Sequence, residues 1–223
     1  STPKPSSAAS DVYKRQLICR FRGALRYCQL VLKPPKSSAT GAFSARTPPL
    51  ATTWRDPWQP EFVGTLVFVL RDQEVLLIHK KTGHGQGKIN APGGKLEARE
   101  RVAECAVRET REEVGLQVMD LVCRAELRFV EQQGPQWLGY AFTTRNFSGQ
   151  PRETPEAKPF WCPQADIPYA RMWDDDRIWL PQILAQEQCG GDVLLVADLL
   201  FRDGCLLQHK LCPADRAVAA LEI

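Results

Sequence analysis

The stretch GGKLEARERVAECAVRETREEVGL, residues 93–116, brings together several carboxylates, among them Glu100, Glu109, Glu112 and Glu113. Carboxylates on neighbouring turns of a helix repel one another unless a positive charge neutralises them. Two interpretations are open from composition alone. The segment is either a solvated acidic helix face or a seat for a divalent cation, since hard cations prefer carboxylate oxygen ligands.

We expect this segment to form a helix from about Arg101 to Val114. Gly115 should end it, because glycine readily takes the left-handed conformation that follows a helix. Successive residues of a helix are rotated by about 100°. One side of this helix therefore contains Ala103, Ala106, Val107, Thr110 and Val114, and we expect it to pack on a sheet.

Glu109, Glu112 and Glu113 fall on another side of this helix, within an arc of about 100°. Arg108 and Arg111 can pair with only some of these three carboxylates. A bound Mg²⁺ or Mn²⁺ would turn the mutual repulsion into ligation, which favours the metal-site interpretation.

The order of the residues sharpens this interpretation. The segment fits the pattern G-x5-E-x7-R-E-U-x-E-E-x-G-U, in which U is a bulky apolar residue, through Gly94, Glu100, Arg108, Glu109, Glu112, Glu113, Gly115 and Leu116. It resembles the Nudix box, the signature of the Nudix hydrolase family. Thr110 departs from the pattern, since an aliphatic residue is usual there, and should soften packing without affecting the chemistry.

The resemblance implies an α+β Nudix fold, a mixed sheet sandwiched between helices, and hydrolysis of a nucleoside diphosphate linked to another moiety. It implies that Glu109, Glu112 and Glu113 ligate the metal, that one of them helps to activate water, and that Arg108 orients a glutamate. The Gly93 carbonyl is a further implied ligand. The chemistry is sensible, because divalent ions screen a polyphosphate, lower the pKa of bound water and align the leaving group.

From about Phe62 to Leu211 the chain is also similar to the MutT-type purine nucleoside triphosphatases that clear oxidised nucleotides, those of mammals above all. The resemblance is carried by VLLIHKK, GKINAPGGK, FWC, IPYARMWDDDRIWLP and the final hairpin. It implies base recognition by Trp173, Asp175, Asp176 and Asn90, with Thr65, Phe129 and Trp137 as weaker pocket candidates. It also implies that Lys80 lies near the sugar and phosphates and that Glu156 reaches the metals.

The adjacent Asp175 and Asp176 also suggest base recognition on chemical grounds. Two carboxylates in a half-buried pocket interact strongly, so that one retains its proton at neutral pH. The ionised acid then accepts from purine N–H groups while the protonated acid donates to a carbonyl, and Trp173 offers a stacking plane. The alternative is that the Asp174–Asp176 run only caps a helix N-terminus.

The elements that must position these residues are mostly strands. Apolar, β-branched stretches separated by turn residues predict three hairpins, over residues 62–81, 121–144 and 192–211. Residues 174–188 have acids at the start and an apolar period, which predicts a helix with a break near Pro181.

Composition separates a leader from the body. Residues 1–58 contain ten Lys and Arg and two acids, so their net charge is +8. Because the whole chain has a net charge of +3, residues 59–223 have a net charge of −5. The leader is rich in Pro and Ser, and SDVYKRQ resembles translated cloning sequence, so we expect it to be disordered or artefactual. A transit peptide or a nucleic-acid-binding arm are the alternatives. The body, 59–223, is the predicted Nudix domain.

The eight cysteines form no CxxC pair, which argues against zinc and is typical of a reducing compartment, so we expect a cytoplasmic protein. No apolar run is long enough to span a bilayer. We expect a monomer that binds a small-molecule nucleotide and Mg²⁺, with Mn²⁺ as a substitute, and no stable nucleic-acid or membrane partner.

The expected activity is hydrolysis of oxidised purine (deoxy)nucleoside triphosphates, such as 8-oxo-dGTP and 2-hydroxy-dATP, to the monophosphate and pyrophosphate. One alternative keeps the enzyme class but takes ADP-ribose, a dinucleotide or capped RNA. Another is a nucleotide sensor without catalysis, although a sensor has no need of three metal-binding glutamates.

Overall fold

A computed structural model of the 223-residue chain describes residues 59–213. The predicted leader, residues 1–58, lies outside the described residues, as do residues 214–223. The described part contains, in chain order, β1 (Phe62–Arg71), β2 (Glu74–Lys80), β3 (Ile89–Asn90), α1 (Val102–Val114), β4 (Gln117–Met119), β5 (Val122–Glu131), β6 (Trp137–Thr144), β7 (Asn146–Ser148), β8 (Ala157–Pro163), α2 (Asp176–Cys189), β9 (Leu195–Arg202) and β10 (Cys205–Pro213).

Eight of the strands in residues 59–213 form one mixed sheet. Its order is β10-β9-β5-β6-β1-β2-β3, and β8 pairs with β2 outside this path. The pairs β1·β6 and β5·β9 are parallel, and the remaining neighbours are antiparallel. Strands β4 and β7 form a separate two-stranded sheet. The three predicted hairpins correspond to β1·β2, β5·β6 and β9·β10, so these predictions are confirmed.

Alternation along the strands gives the sheet two apolar faces. On β1, Phe68 and Leu70 belong to a buried cluster that includes Trp179 and Ile183 of α2. Val67 and Val69, which alternate with them, belong to a second cluster that includes Ala106 and Val114 of α1. Side chains of a strand alternate between faces, so α1 and α2 cover opposite faces. The expected α+β arrangement, a mixed sheet between helices, is confirmed.

Helix α2 continues through Pro181, so the expected break there was wrong. Proline removes one backbone hydrogen bond and usually kinks a helix. Here Pro181 is exposed, while Trp179, Leu180 and Ile183 on the other side of α2 are fully buried. Burial of three large apolar side chains holds the helix against the sheet and outweighs the missing bond. Within residues 59–213, neither helix has the length and apolar character needed to cross a bilayer.

Truncating the buried side of α2 should destabilise the fold. Ile183 has no exposed surface, so Ile183→Ala is expected to lower the free energy of unfolding by about 2–5 kcal/mol. Urea unfolding followed by circular dichroism measures this. The exposed neighbour Gln182→Ala is the control and should stay within about 0.5 kcal/mol of wild type. Equal losses in both variants would contradict the assigned orientation of α2.

Candidate active site

Helix α1 begins where the sequence predicts and ends at Gly115, whose φ of 76° is left-handed and whose N–H donates to the Arg111 carbonyl. Its buried residues are Cys105, Ala106, Thr110, Glu113 and Val114. The Thr110 hydroxyl donates to the Ala106 carbonyl at 2.7 Å, so its polar atom is satisfied where an aliphatic residue is usual. Ala103 and Val107, which the periodicity also placed on the packed side, are only partly buried.

Glu113 is fully buried, although the helical periodicity placed it on the polar side with Glu109 and Glu112. Its carboxylate is held from two directions. The Gly93 N–H donates to Oε2 at 2.9 Å, and the Lys80 ammonium forms an ion pair with Oε1. A buried carboxylate requires such partners, because removing a charge from water is costly. The pair therefore ties α1 to β2 and to the loop that precedes the helix.

Arg108 connects three of the glutamates. Its Nε and Nη2 donate to the two carboxylate oxygens of Glu100 at 2.7 and 2.9 Å. Nη1 donates to Glu109 at 2.9 Å and to Glu112 at 3.1 Å. The paired guanidinium lowers the pKa of Glu100 to about 2, so this carboxylate stays ionised and fixes the arginine. The geometry suits a residue that orients Glu109.

Glu109 lies against the backbone of the loop before α1. A Cβ at Gly94 would overlap the Glu109 carboxyl group, so a larger residue there would displace this carboxyl group. Burial raises the pKa of Glu109 above its usual value, and the charges of Glu113 and Glu112 raise it further, against the effect of Arg108. The carboxyl group therefore lies where additional positive charge would be stabilising.

The carboxylates of α1 suit a divalent cation by the chemistry of their oxygens. In the part of the chain that the structure describes, no three His, Cys, Asp or Glu side chains converge as they stand to enclose an ion. Glu113 and Glu109 pair instead with Lys80 and Arg108. The carboxylate oxygens are the donors that a divalent cation prefers, and a cation beside Glu109 would offset the burial that raises its pKa.

A cavity of about 610 Å³ opens beside this helix. All eight side chains predicted to bind substrate line it, namely Thr65, Lys80, Asn90, Phe129, Trp137, Trp173, Asp175 and Asp176. Gly93, Glu109 and Glu156 line it as well, whereas Glu113 does not. Arg108 and Glu112 line a separate depression on the outer side of α1, where the Glu112 side chain is 58% exposed. The structure thus brings the predicted base-binding set together with part of the predicted metal-binding set.

The residues Asp175 and Asp176 are 1% and 2% exposed. Asp175 Oδ2 accepts from the Trp179 indole N–H at 2.8 Å, while Oδ1 is buried without a hydrogen-bond partner among the described residues. Asp176 Oδ2 accepts from the Trp173 backbone N–H at 2.9 Å. An unpartnered buried acceptor is costly, so Asp175 Oδ1 marks a position where a ligand donor would be stabilising.

Burial raises the pKa of Asp175 to about 6. Burial, together with the charge of Asp175, raises the pKa of Asp176 well above its usual value. Two carboxylates this close and this buried do not both ionise readily. The pair therefore retains a proton near neutral pH, as expected from the sequence.

The capping alternative has little support. Asp175 is the N-cap residue of α2 but makes no side-chain capping hydrogen bond. Asp174 is exposed and pairs with Arg177 at 2.9 Å. Trp179 is fully buried, whereas Trp161 is partly buried with the Arg71 guanidinium 3.9 Å from its ring centroid.

Two further predicted residues approach the cavity from different elements. Asn90 ends β3, and its Oδ1 accepts from the Ala91 N–H at 2.9 Å. Glu156 is exposed at the start of β8, and its backbone carbonyl accepts from Lys81 at 2.7 Å. The site is thus assembled from segments far apart in the sequence.

The lining also contains His84, Lys95 and Glu131, which sequence reasoning did not select. The His84 ring stacks on both Trp137 and Trp173. Burial lowers its pKa, as do the charges of Lys95 and Lys80. Position in a Gly-rich loop was the only available signal for His84, and it does not reveal contacts with residues distant in sequence.

Comparison with known proteins shows which family the chain belongs to. The NUDIX domain family matches residues 60–183. The chain is 38% identical over 128 residues to the oxidized purine nucleoside triphosphate hydrolase of Mus musculus, covering 56% of this chain and 82% of that protein. It is 36% identical to the protein of the same name from Danio rerio, covering 57% of this chain and 82% of that protein.

A solved structure of a MutT protein from Bacillus halodurans is similar with a TM-score of 0.57 and 25% identity, covering 67% of this chain and 97% of that one. The family match spans more than half of the chain and includes α1, the loop before it and the aspartate pair. The chain therefore belongs to the Nudix hydrolase family.

Proposed function

We propose that this enzyme hydrolyses oxidised purine (deoxy)nucleoside triphosphates, such as 8-oxo-dGTP and 2-hydroxy-dATP, to the monophosphate and pyrophosphate with Mg²⁺, and so sanitises the nucleotide pool. The names of the mouse and zebrafish relatives support the substrate class. The observation that carries the proposal is the buried aspartate pair, with its unpartnered Asp175 Oδ1, in the same cavity as Glu109.

The aspartate pair is suited to a purine edge because it can both accept and donate. The ionised carboxylate accepts from purine N–H groups, and the protonated partner donates to a carbonyl or ring nitrogen. Moving the proton between Asp175 and Asp176 exchanges these roles. One pair can therefore read an oxidised guanine and tolerate an oxidised adenine, while Trp173 stacks on the base.

We assign the phosphates to the α1 end of the cavity. Lys80 supplies positive charge there, and we propose that the Gly93 carbonyl, Glu109, Glu112, Glu113 and Glu156 hold the divalent ion. When bound, Mg²⁺ screens the polyphosphate, lowers the pKa of water and aligns the leaving group. Arg108 positions Glu109, and the chain's own carboxylates accept the proton of the attacking water.

We further propose a cytoplasmic monomer that acts on free nucleotides rather than on nucleic acid. The six cysteines within residues 59–213 are all free thiols, which fits a reducing compartment. The net charge of −5 over residues 59–223 disfavours association with a phosphate backbone. Three large apolar side chains of the described residues are exposed, and they lie in separate segments: Met119 in β4, Val193 in the loop before β9 and Leu207 in β10.

Neutralising a glutamate of α1 should abolish most activity. Glu109→Gln and Glu112→Gln are each expected to lower kcat/KM for 8-oxo-dGTP on the order of 10²-fold or more, because each removes a carboxylate needed for ion binding or proton transfer. Pyrophosphate release with Mg²⁺ measures the rate, and calorimetry with Mn²⁺ measures ion binding. Chelation with EDTA should abolish wild-type turnover.

Glu104→Gln is the matched control for this series. Glu104 is an exposed glutamate of the same helix that pairs with Arg101, and its replacement should leave turnover unchanged. Unaltered pyrophosphate release in Glu109→Gln and Glu112→Gln would instead favour a binding protein without catalysis. Faster turnover of ADP-ribose than of any triphosphate would favour the other family substrates.

Replacing Asp176 by asparagine should damage base selection, because an amide cannot exchange a proton with Asp175. Asp176→Asn is expected to lower kcat/KM for 8-oxo-dGTP about 10- to 100-fold, the effect of losing a buried hydrogen bond to a charged group. Preference over dGTP should fall as well, while Mn²⁺ affinity stays at the wild-type value. Asp174→Asn, at the exposed neighbour, should change neither. Equal, slow turnover of 8-oxo-dGTP and dGTP by the wild type would remove the specificity claim.

The same pair should make stability depend on pH. A carboxyl group whose folded pKa is raised contributes stability that is complete below its unfolded pKa, near 3.8, and is lost as pH rises through its folded pKa. For Asp175 this loss develops between about pH 3.8 and about pH 6 and is complete above that, and for Asp176 it continues to higher pH. Asp176→Asn should therefore gain stability relative to wild type between pH 5 and 8 in urea unfolding. A difference independent of pH would contradict the raised pKa values.

A further inference from the structure

The imidazole of His84 lies between the indoles of Trp137 and Trp173. Its ring centroid is 5.1 Å from each indole, and the interplanar angle is 18° on both sides. Both contacts are stacked arrangements within the range that stabilises aromatic pairs. His84 thus occupies a slot with two aromatic walls, inside the cavity that also contains Asp175 and Asp176.

The two walls of this slot are anchored to the fold. Trp173 is held through its backbone N–H, which donates to Asp176, and the Lys88 ammonium lies 4.6 Å from its ring centroid. Trp137 begins β6, and the Lys95 ammonium lies 4.9 Å from its ring centroid. Backbone pairing and cations over the rings hold both indoles in place.

His84, in contrast to the two tryptophans, belongs to a short exposed loop. His84 is exposed apart from its stacking contacts, and it follows Gly83 and precedes Gly85, with φ values of +71° and +82°. A Cβ at Gly83 would meet nothing within 4 Å. Turn hydrogen bonds hold this loop, with the Gln86 N–H donating to the Gly83 carbonyl and the Lys88 N–H to the Gly85 carbonyl. Glycine has the widest conformational freedom of all residues, so rotation at Gly83 and Gly85 can still carry the imidazole out of the slot.

We propose that His84 is a built-in competitor for the nucleobase, which stacks on Trp173 and Trp137 only in place of the imidazole. This inference rests on the proposed function, which takes a purine into the same cavity. Imidazole and purine are both flat aromatic rings, so they cannot fill the slot at once. A nucleotide binds with two indole contacts only after His84 has left.

Competition of this kind has a distinctive thermodynamic consequence. The closed state contains no ligand, so it reduces the affinity for every nucleotide by the same factor, the fraction of molecules with an open slot. Removing the competitor should tighten the binding of different bases equally. A histidine that contacts the bound base directly would behave in the opposite way, since its loss would weaken binding by an amount that depends on the base.

The test is a titration of intrinsic tryptophan fluorescence with the monophosphates 8-oxo-dGMP and dGMP, which the enzyme does not hydrolyse. His84→Ala should lower Kd for both nucleotides by the same factor, roughly tenfold if two stacking contacts hold the slot closed. His84→Phe, whose larger ring stacks in the same slot, should raise both Kd values above wild type. His79→Ala is the matched control, since His79 stacks on Phe160 and does not line the cavity.

A second readout follows His84 itself. In the free protein its ring protons should resonate upfield, because they lie between two indoles, and saturating 8-oxo-dGMP should return them to ordinary positions. Weaker or unchanged nucleotide binding by His84→Ala, or an upfield signal that persists in the complex, would overturn the competitor assignment. Failure of every variant to bind either nucleotide would refute the proposed function and the stacking site with it.

Discussion

A fully buried carboxylate needs a cation beside it, and the pairing of Glu113 with Lys80 is the constraint on which the site depends. Glu113 belongs to α1, Lys80 ends β2, and Gly93, which donates to the same carboxylate, belongs to the loop between them. One ion pair and one hydrogen bond therefore fix three segments. The packing of α1 and the position of its remaining glutamates follow from this junction.

The two ends of the cavity compensate negative charge in different ways. Beside α1, Lys80 lines the cavity and pairs with Glu113, while Arg108 pairs with Glu109 from the outer side of the helix. Asp175 and Asp176, in contrast, form no ion pair with any residue in the described range 59–213 and are neutralised in part by a retained proton. Fixed cations suit phosphates, whereas a movable proton suits the edge of a base. Under the proposed function, this difference orients a nucleotide along the cavity.

Much of this architecture was predictable from local signals. Alternating strands, turn residues and the terminating Gly115 predicted three hairpins and α1 to within a few residues, because each depends on near neighbours in the chain. The eight substrate-binding candidates also meet in one cavity, but that prediction came from the resemblance to a family. Periodicity alone could not have joined Thr65 of β1 to Asp176 of α2.

The features that the sequence did not reveal are set by contacts between distant segments. Periodicity assigned Glu113 to the polar side, yet Lys80 makes its burial tolerable. Local propensity predicted a break at Pro181, yet the buried side of α2 overrides it. Sequence rules that treat each element separately fail where tertiary contacts compensate a locally unfavourable choice. Three such features occur here: the buried charge of Glu113, the aspartate pair and the stacked imidazole of His84. All three lie at or beside the cavity to which we assign the chemistry.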